Sequence, residues 1–152
     1  MFDLAEQLDS IRNVLSERGI EFAVCGGMAM AIHGFTRATE DLDLFVRPED
    51  VIAIEEIVAG LGYTIKAHPM TFSGGAMKIR RVSRIDRSDG DTLTLDLLLV
   101  TPETSHVWET RQILTWRDRP FPVVSRDGLI TLKRYRSSEM DLVDIGRLQG
   151  GE

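Results

Sequence analysis

The sequence predicts an α+β fold, and three observations carry the prediction. Strand, helix, strand and helix follow one another between Ile20 and Gly60, β-like segments crowd the middle of the chain, and two short helices close it.

Each element has a local reason. Leu4, Leu8, Ile11 and Leu15 recur at i, i+4, i+7 and i+11, the apolar stripe of an amphipathic helix over residues 3–18 that Gly19 ends. Residues 20–25 read as a short apolar strand, broken by Gly26 and Gly27, and MAMAIHG reads as a helix that stops at Gly34. A turn through residues 35–40 leads into DLDLFV, a strand of period 2. Pro48 then opens a helix, PEDVIAIEEIVAGLG, with acidic residues in the first turn, where the helix dipole favours them. Residues 63–66, 76–85 and 92–100 are strand candidates, and RSDGD between the last two is a hairpin signal. Pro102 begins a short helix toward Glu109, residues 112–124 read as a strand pair around a PFP turn, and residues 127–148 as two short helices joined near Ser137 and Ser138. No repeat or linker interrupts the pattern, so one domain is expected over residues 1–152.

Composition narrows the class of function. A chain of 152 residues is long enough to bury about two thirds of the surface it exposes unfolded, so no staple is required. The lone cysteine, Cys25, has no internal disulfide partner and reads as a small core residue in a reducing, cytoplasmic compartment. No apolar run approaches the ~18 residues needed to cross a bilayer, so no membrane partner is expected. The net charge of −6 argues against sequence-independent binding to nucleic acid. Two basic clusters, Lys78 with Arg80, Arg81 and Arg84, and Lys133 with Arg134 and Arg136, read as a solvated strand edge and helix face, with a local basic groove as the alternative. His33 reads as closing its helix, and Trp108 and Trp116 as packing residues.

Chemistry concentrates in three carboxylates. Successive side chains on a strand face opposite ways, so Asp41 and Asp43 share one face, ~7 Å apart along the chain. Two like charges held together call for a positive partner, and a divalent cation serves best. A bare DxD is more often the wet face of a strand, but Asp96 changes the weighing. It sits in the apolar strand DTLTLDLLLV, where an unpaired buried charge costs several kcal/mol. If that strand lies beside DLDLFV, three carboxylates converge as they do around Mg²⁺ in phosphoryl chemistry. Gly26 and Gly27, at a strand end that opens a helix, leave backbone N–H groups open to phosphate.

A GG pair, a short helix ending in HG, R-x-T-x-D-x-D with an apolar continuation and a lone Asp on a later apolar strand together resemble the DNA polymerase β-like nucleotidyltransferase superfamily. GGMAMAIHGFTRATEDLDLFV is similar to the small bacterial nucleotidyltransferases of the abortive-infection (AbiEii-like) and minimal types, and KRYRSSEMDLVDIGRL resembles their C-terminal helix pair. The resemblance implies a nucleotidyltransferase fold with a mixed, mainly antiparallel sheet flanked by helices. It also implies Mg²⁺- or Mn²⁺-dependent transfer of a nucleoside monophosphate from an NTP to a hydroxyl on RNA or protein, within a toxin–antitoxin system that supplies an antitoxin partner chain. Asp41, Asp43 and Asp96 are then the metal ligands, with Asp96 helping to deprotonate the acceptor, and Gly26, Gly27, Arg37, Thr39 and Lys133 surround the nucleotide phosphates. Met28 departs from the pattern, because many active members carry a serine directly after the glycines. That departure favours the alternative, a non-catalytic binding or regulatory module.

Overall fold

A computed structural model describes residues 1–35 and 38–150. Helix α1 spans Leu4–Glu17, with the Asp3 carboxylate accepting from the backbone N–H of Ala5 at 3.0 Å and Glu6 at 3.3 Å. Its stripe of Leu8, Ile11 and Leu15 is fully buried. Gly19 takes φ +69°, and the Ile20 N–H turns back to the Leu15 carbonyl at 3.0 Å. Ile20 is thereby spent on closing the helix, so β1 is shorter than expected, Ala23–Cys25.

The remaining elements follow in order: α2 (Gly26–Ile32), β2 (Leu42–Val46), α3 (Val51–Ala59), β3 (Ile65–Lys66), β4 (Met70–Phe72), β5 (Met77–Ile85), β6 (Thr92–Leu99), α4 (Ser105–Glu109), β7 (Gln112–Trp116), β8 (Arg119–Val123), α5 (Arg126–Arg136) and α6 (Glu139–Gly150). The strands form one sheet in the order β3-β5-β6-β2-β1-β8-β7, with β4 also paired to β5. Pairing is antiparallel except for β2 with β6 and β1 with β8. The sheet is therefore mixed and mainly antiparallel, as the resemblance implied.

Two local expectations are corrected. The prolines of PFP lie inside β8, and the reversal falls at Arg117 and Asp118, both at positive φ, the backbone of a two-residue hairpin turn. Strand β8 pairs with β7 along its whole length but meets β1 only at Val24 and Val123, so most of its β1-facing side is unpaired and tolerates missing N–H groups. Strand β2 is buried at every position, so its alternation marks a central strand with helices on both sides, not a half-wet one.

Alternation along the central strands sets up the site. Leu42, Leu44 and Val46 face one layer with Leu95 and Leu97, where α1 and α3 pack together and Gln7 and Glu55 reach Arg84 and Arg80. Asp43 and Phe45 face the other layer, beneath α2, α4 and α5, and Phe45 meets Trp108 edge-on at 5.8 Å. At the end of the fold α5 stops at Ser137, φ +54°, and Ser138 with Asp141 forms a reciprocal cap that starts α6.

Candidate active site

The pairing registers place Cys25, Asp43, Asp96 and Arg81 in one row across four neighbouring strands, all on the same face. Asp43 and Asp96 are both buried, and Asp41 stands just before β2 at the mouth. The Arg81 guanidinium grips Asp96 with two parallel bonds, Nε to Oδ1 at 2.7 Å and Nη2 to Oδ2 at 3.0 Å. Arg136 approaches Asp43 at 3.8 Å from the end of α5. Asp141 in turn holds Arg136 through two bonds of 2.9 Å. Asp41, Asp43, Asp96, Arg81, Arg136 and Thr39 all line one cavity of ≈ 450 Å³. A larger hollow of ≈ 710 Å³ beside His33 and Arg126 is lined, among the described residues, by a single carboxylate, Asp127.

Electrostatics follow from that packing. Burial pushes the Asp43 carboxyl up to about 7, Arg136 opposes the shift, and the nearby Asp96 and Asp41 add to it. Asp41 is raised as well, by partial burial and then by Asp96. The two arginines beside the cluster do not cancel the effect of burial on Asp43 and Asp41.

Each sequence-predicted residue has a definite place, with one exception. Arg37 lies outside the described residues. Gly26 sits at φ +64° against Asp43, where a Cβ would come within 2.0 Å of Oδ2, so its missing side chain makes room for the carboxylate. Gly27 is buried beside it. Thr39 donates its hydroxyl to the Asp41 carbonyl at 3.2 Å. Lys133 is buried, with its Nζ 3.0 Å from Asp144 and 3.7 Å from Asp141. Met28 points into the core. His33 is the C-cap of α2, its backbone N–H bonding the Ala29 carbonyl at 2.9 Å as expected of a residue that closes the helix, and its Nε2 lies 2.8 Å from the Val124 carbonyl.

The basic clusters are not a free groove. Arg80 pairs with the buried Glu55 at 2.9 Å, and Arg84 bonds Gln7 while stacking on Phe2 and Tyr63. Arg81 and Arg136 belong to the carboxylate site, a role that composition did not suggest. The hairpin register did contain it. Counting back from a reversal inside RSDGD pairs Ile85 with Thr92 and, four steps on, Arg81 with Asp96.

Among the described residues no three His, Cys, Asp or Glu side chains stand close enough together to hold a cation as they are. The donor set is nonetheless all hard carboxylate oxygen, the chemistry of Mg²⁺ and Mn²⁺ sites. Asp43 and Asp41 are raised chiefly by burial, which disfavours their charged forms. A divalent cation on Asp96 would have to displace the Arg81 fork, which occupies both of its oxygens, and to draw the carboxylates closer together.

This sheet order, with paired acidic strands at its centre, is the architecture of a nucleotidyltransferase. The chain aligns with lincosamide antibiotic adenylyltransferase LnuA, in its lincomycin-bound crystal structure, with TM-score 0.62 and 15% identity over 95% of each chain. It aligns with ANT(2")-Ia, in complex with adenylyl-2"-tobramycin, with TM-score 0.64 and 17% identity over 94% of this chain and 85% of that one. Residues 10–133 match the family described as Nucleotidyl transferase AbiEii toxin, Type IV TA system, and the chain belongs to that family. No curated relative matches the sequence. No helix among the described residues is long and apolar enough to cross a membrane.

Proposed function

We propose that the chain transfers a nucleoside monophosphate from an NTP to a hydroxyl on an RNA or protein acceptor, with Mg²⁺ or Mn²⁺ held by Asp41, Asp43 and Asp96. The observation that carries this reading is the convergence of these three carboxylates, two of them buried cross-strand partners, on one open cavity. The bond formed joins the acceptor oxygen to the α-phosphorus, and the bond broken frees pyrophosphate. When bound, the cation supplies the positive charge that acidifies the acceptor hydroxyl and offsets charge on the leaving oxygens. Asp96 takes up the acceptor's proton. Arg136, fixed by Asp141, steadies Asp43 and adds a positive charge to the cavity wall. The start of α2 at Gly26 and Gly27, together with Arg37 and Thr39, makes up the nucleotide's surroundings in this reading, while Lys133, buried against Asp144 and Asp141, supports the wall from behind and does not reach the nucleotide. The family's toxin–antitoxin setting makes an antitoxin chain the natural regulator.

The test is label transfer. Protein incubated with Mg²⁺, an α-labelled NTP and tRNA, total RNA or cell extract should label one acceptor class, and Asp96→Ala should lose about 10²–10³-fold or more of that rate while keeping its fold. Label in the γ position should never reach the acceptor. Transfer of γ-label would make the chain a kinase, and silence with all four NTPs would leave the reading without support.

A further inference from the structure

Two arginines flank the carboxylates, and they are held very differently. Arg136 is tied from behind by both oxygens of the fully buried Asp141, which itself accepts from the Ser138 hydroxyl at 2.6 Å and the Ser138 N–H at 3.1 Å. Its position is built into the elbow between α5 and α6. Arg81 has no such anchor. Its guanidinium bonds Asp96 alone among the described residues, and its side chain is 39% exposed at the cavity wall.

A guanidinium on both oxygens of a carboxylate and a dication on the same oxygens repel each other strongly at such short range. The fork also uses the in-plane acceptor directions that a cation would take. Asp96 therefore serves one partner at a time. An incoming triphosphate carries several negative charges into the cavity and offers a loosely held guanidinium a new partner of matching geometry.

We propose that Arg81 guards the site: it competes with the divalent cation for Asp96, and it gives way when the triphosphate of an incoming nucleotide draws it off. The inference rests on the carboxylate metal site described under the proposed function. Its consequence is that the cation enters with the nucleotide and not ahead of it. Binding of each favours binding of the other, with Arg81 as the element both act upon.

The experiment measures Mn²⁺ binding to the nucleotide-free protein, by the loss of the free Mn²⁺ electron paramagnetic resonance signal, in the wild type, Arg81→Gln, Arg81→Lys and the double variant Arg81→Gln with Asp96→Asn. Removing the guard should tighten Mn²⁺ binding about tenfold or more, the scale on which neighbours of metal ligands act. Arg81→Lys keeps the charge without the fork and should fall between wild type and Arg81→Gln; it also serves should the glutamine variant not fold. The double variant should lose the gain, because the gain works through Asp96. In the presence of Mn²⁺, a non-hydrolysable α,β-methylene NTP should bind Arg81→Gln about tenfold more weakly than wild type, a loss on the scale of one charge-assisted pair. Mn²⁺ binding no tighter in Arg81→Gln and Arg81→Lys than in wild type, or a gain that survives Asp96→Asn, overturns the guard while leaving the metal site in place. Absence of Asp96-dependent Mn²⁺ binding in every variant, with and without nucleotide, overturns the metal site and the guard together.

Discussion

Asp43 of β2 and Asp96 of β6 are direct cross-strand partners in a parallel pairing, two buried carboxylates on adjacent strands of the same face. Neighbouring strands lie about 4.8 Å apart, so their repulsion is relieved by positive charge placed beside them or by a proton on one of them. Arg81 and Arg136 supply part of it, yet Asp43 is still pushed up to about 7, mainly by burial.

That relationship gives a stability prediction. Adding Mg²⁺ or Mn²⁺ should raise the melting temperature through the linkage of binding to folding. The double change Asp41→Asn with Asp43→Asn should abolish the rise. It should also stabilise the metal-free protein, since an amide of the same shape carries no charge to bury. Relief of ~1–2 kcal/mol would move Tm upward by roughly 2–8 °C in a domain of this size. Differential scanning fluorimetry with and without EDTA reads both effects, and a wild type indifferent to either metal contradicts the first.

Gly26 and Asp43 supply the next one. A methyl group at Gly26 would stand 2.0 Å from Asp43 Oδ2, on a backbone at φ +64° that side chains disfavour. Gly26→Ala should cost about 2–4 kcal/mol, combining backbone strain with a displaced buried carboxylate. Made in an Asp43→Gly background, which removes the Oδ2, Cγ and Cβ contacts at 2.0, 2.6 and 2.8 Å, the same change should cost only the backbone part. The difference is the coupling energy of a double-mutant cycle in urea denaturation. A coupling near zero would mean that Gly26 is not shaped around Asp43.

Much of the architecture was legible because local chemistry dictated it. The stripe of Leu8, Ile11 and Leu15, the hairpin at RSDGD and the break at Ser137 and Ser138 each follow from a few neighbouring residues. The edge strand β4 escaped notice, since MTF is three residues long and its pairing with β5 depends on a reversal through Ser73–Gly75 that carries no alternation. The acidic half of the site was visible as carboxylates on apolar strands. The basic half was hidden because its partners are far away in sequence. Arg81 reaches Asp96 across a hairpin, and Arg136 reaches Asp43 from a helix ninety-three positions later. Sequence alone showed that Asp96 needed a partner, and only the register named it. The cluster KIRRVSR looked like one basic surface, but strand alternation divides it between two faces, with Arg80 and Arg84 on one and Arg81 on the other.

The elbow between α5 and α6 carries the last prediction. Burial alone would raise the Asp141 carboxyl, but hydrogen bonds from Arg136 and Ser138 outweigh it and hold the group down to about 2. An unfolded aspartate titrates near ~3.9, so as pH falls the unfolded chain takes up this proton before the folded one does. The stabilisation from Asp141 is therefore complete above about pH 4 and is lost as pH falls from there through about 2. Asp141→Asn removes that contribution and leaves Arg136 and Lys133 short of a buried counter-charge, a loss of about 3–5 kcal/mol near neutral pH. Other carboxylates titrate in both proteins, so the informative quantity is the gap between wild type and variant. Urea denaturation at pH 6 and at pH 2.5 should show the gap narrowing at the lower pH. A gap of constant size would mean that the aspartate holds the elbow by shape and not by charge.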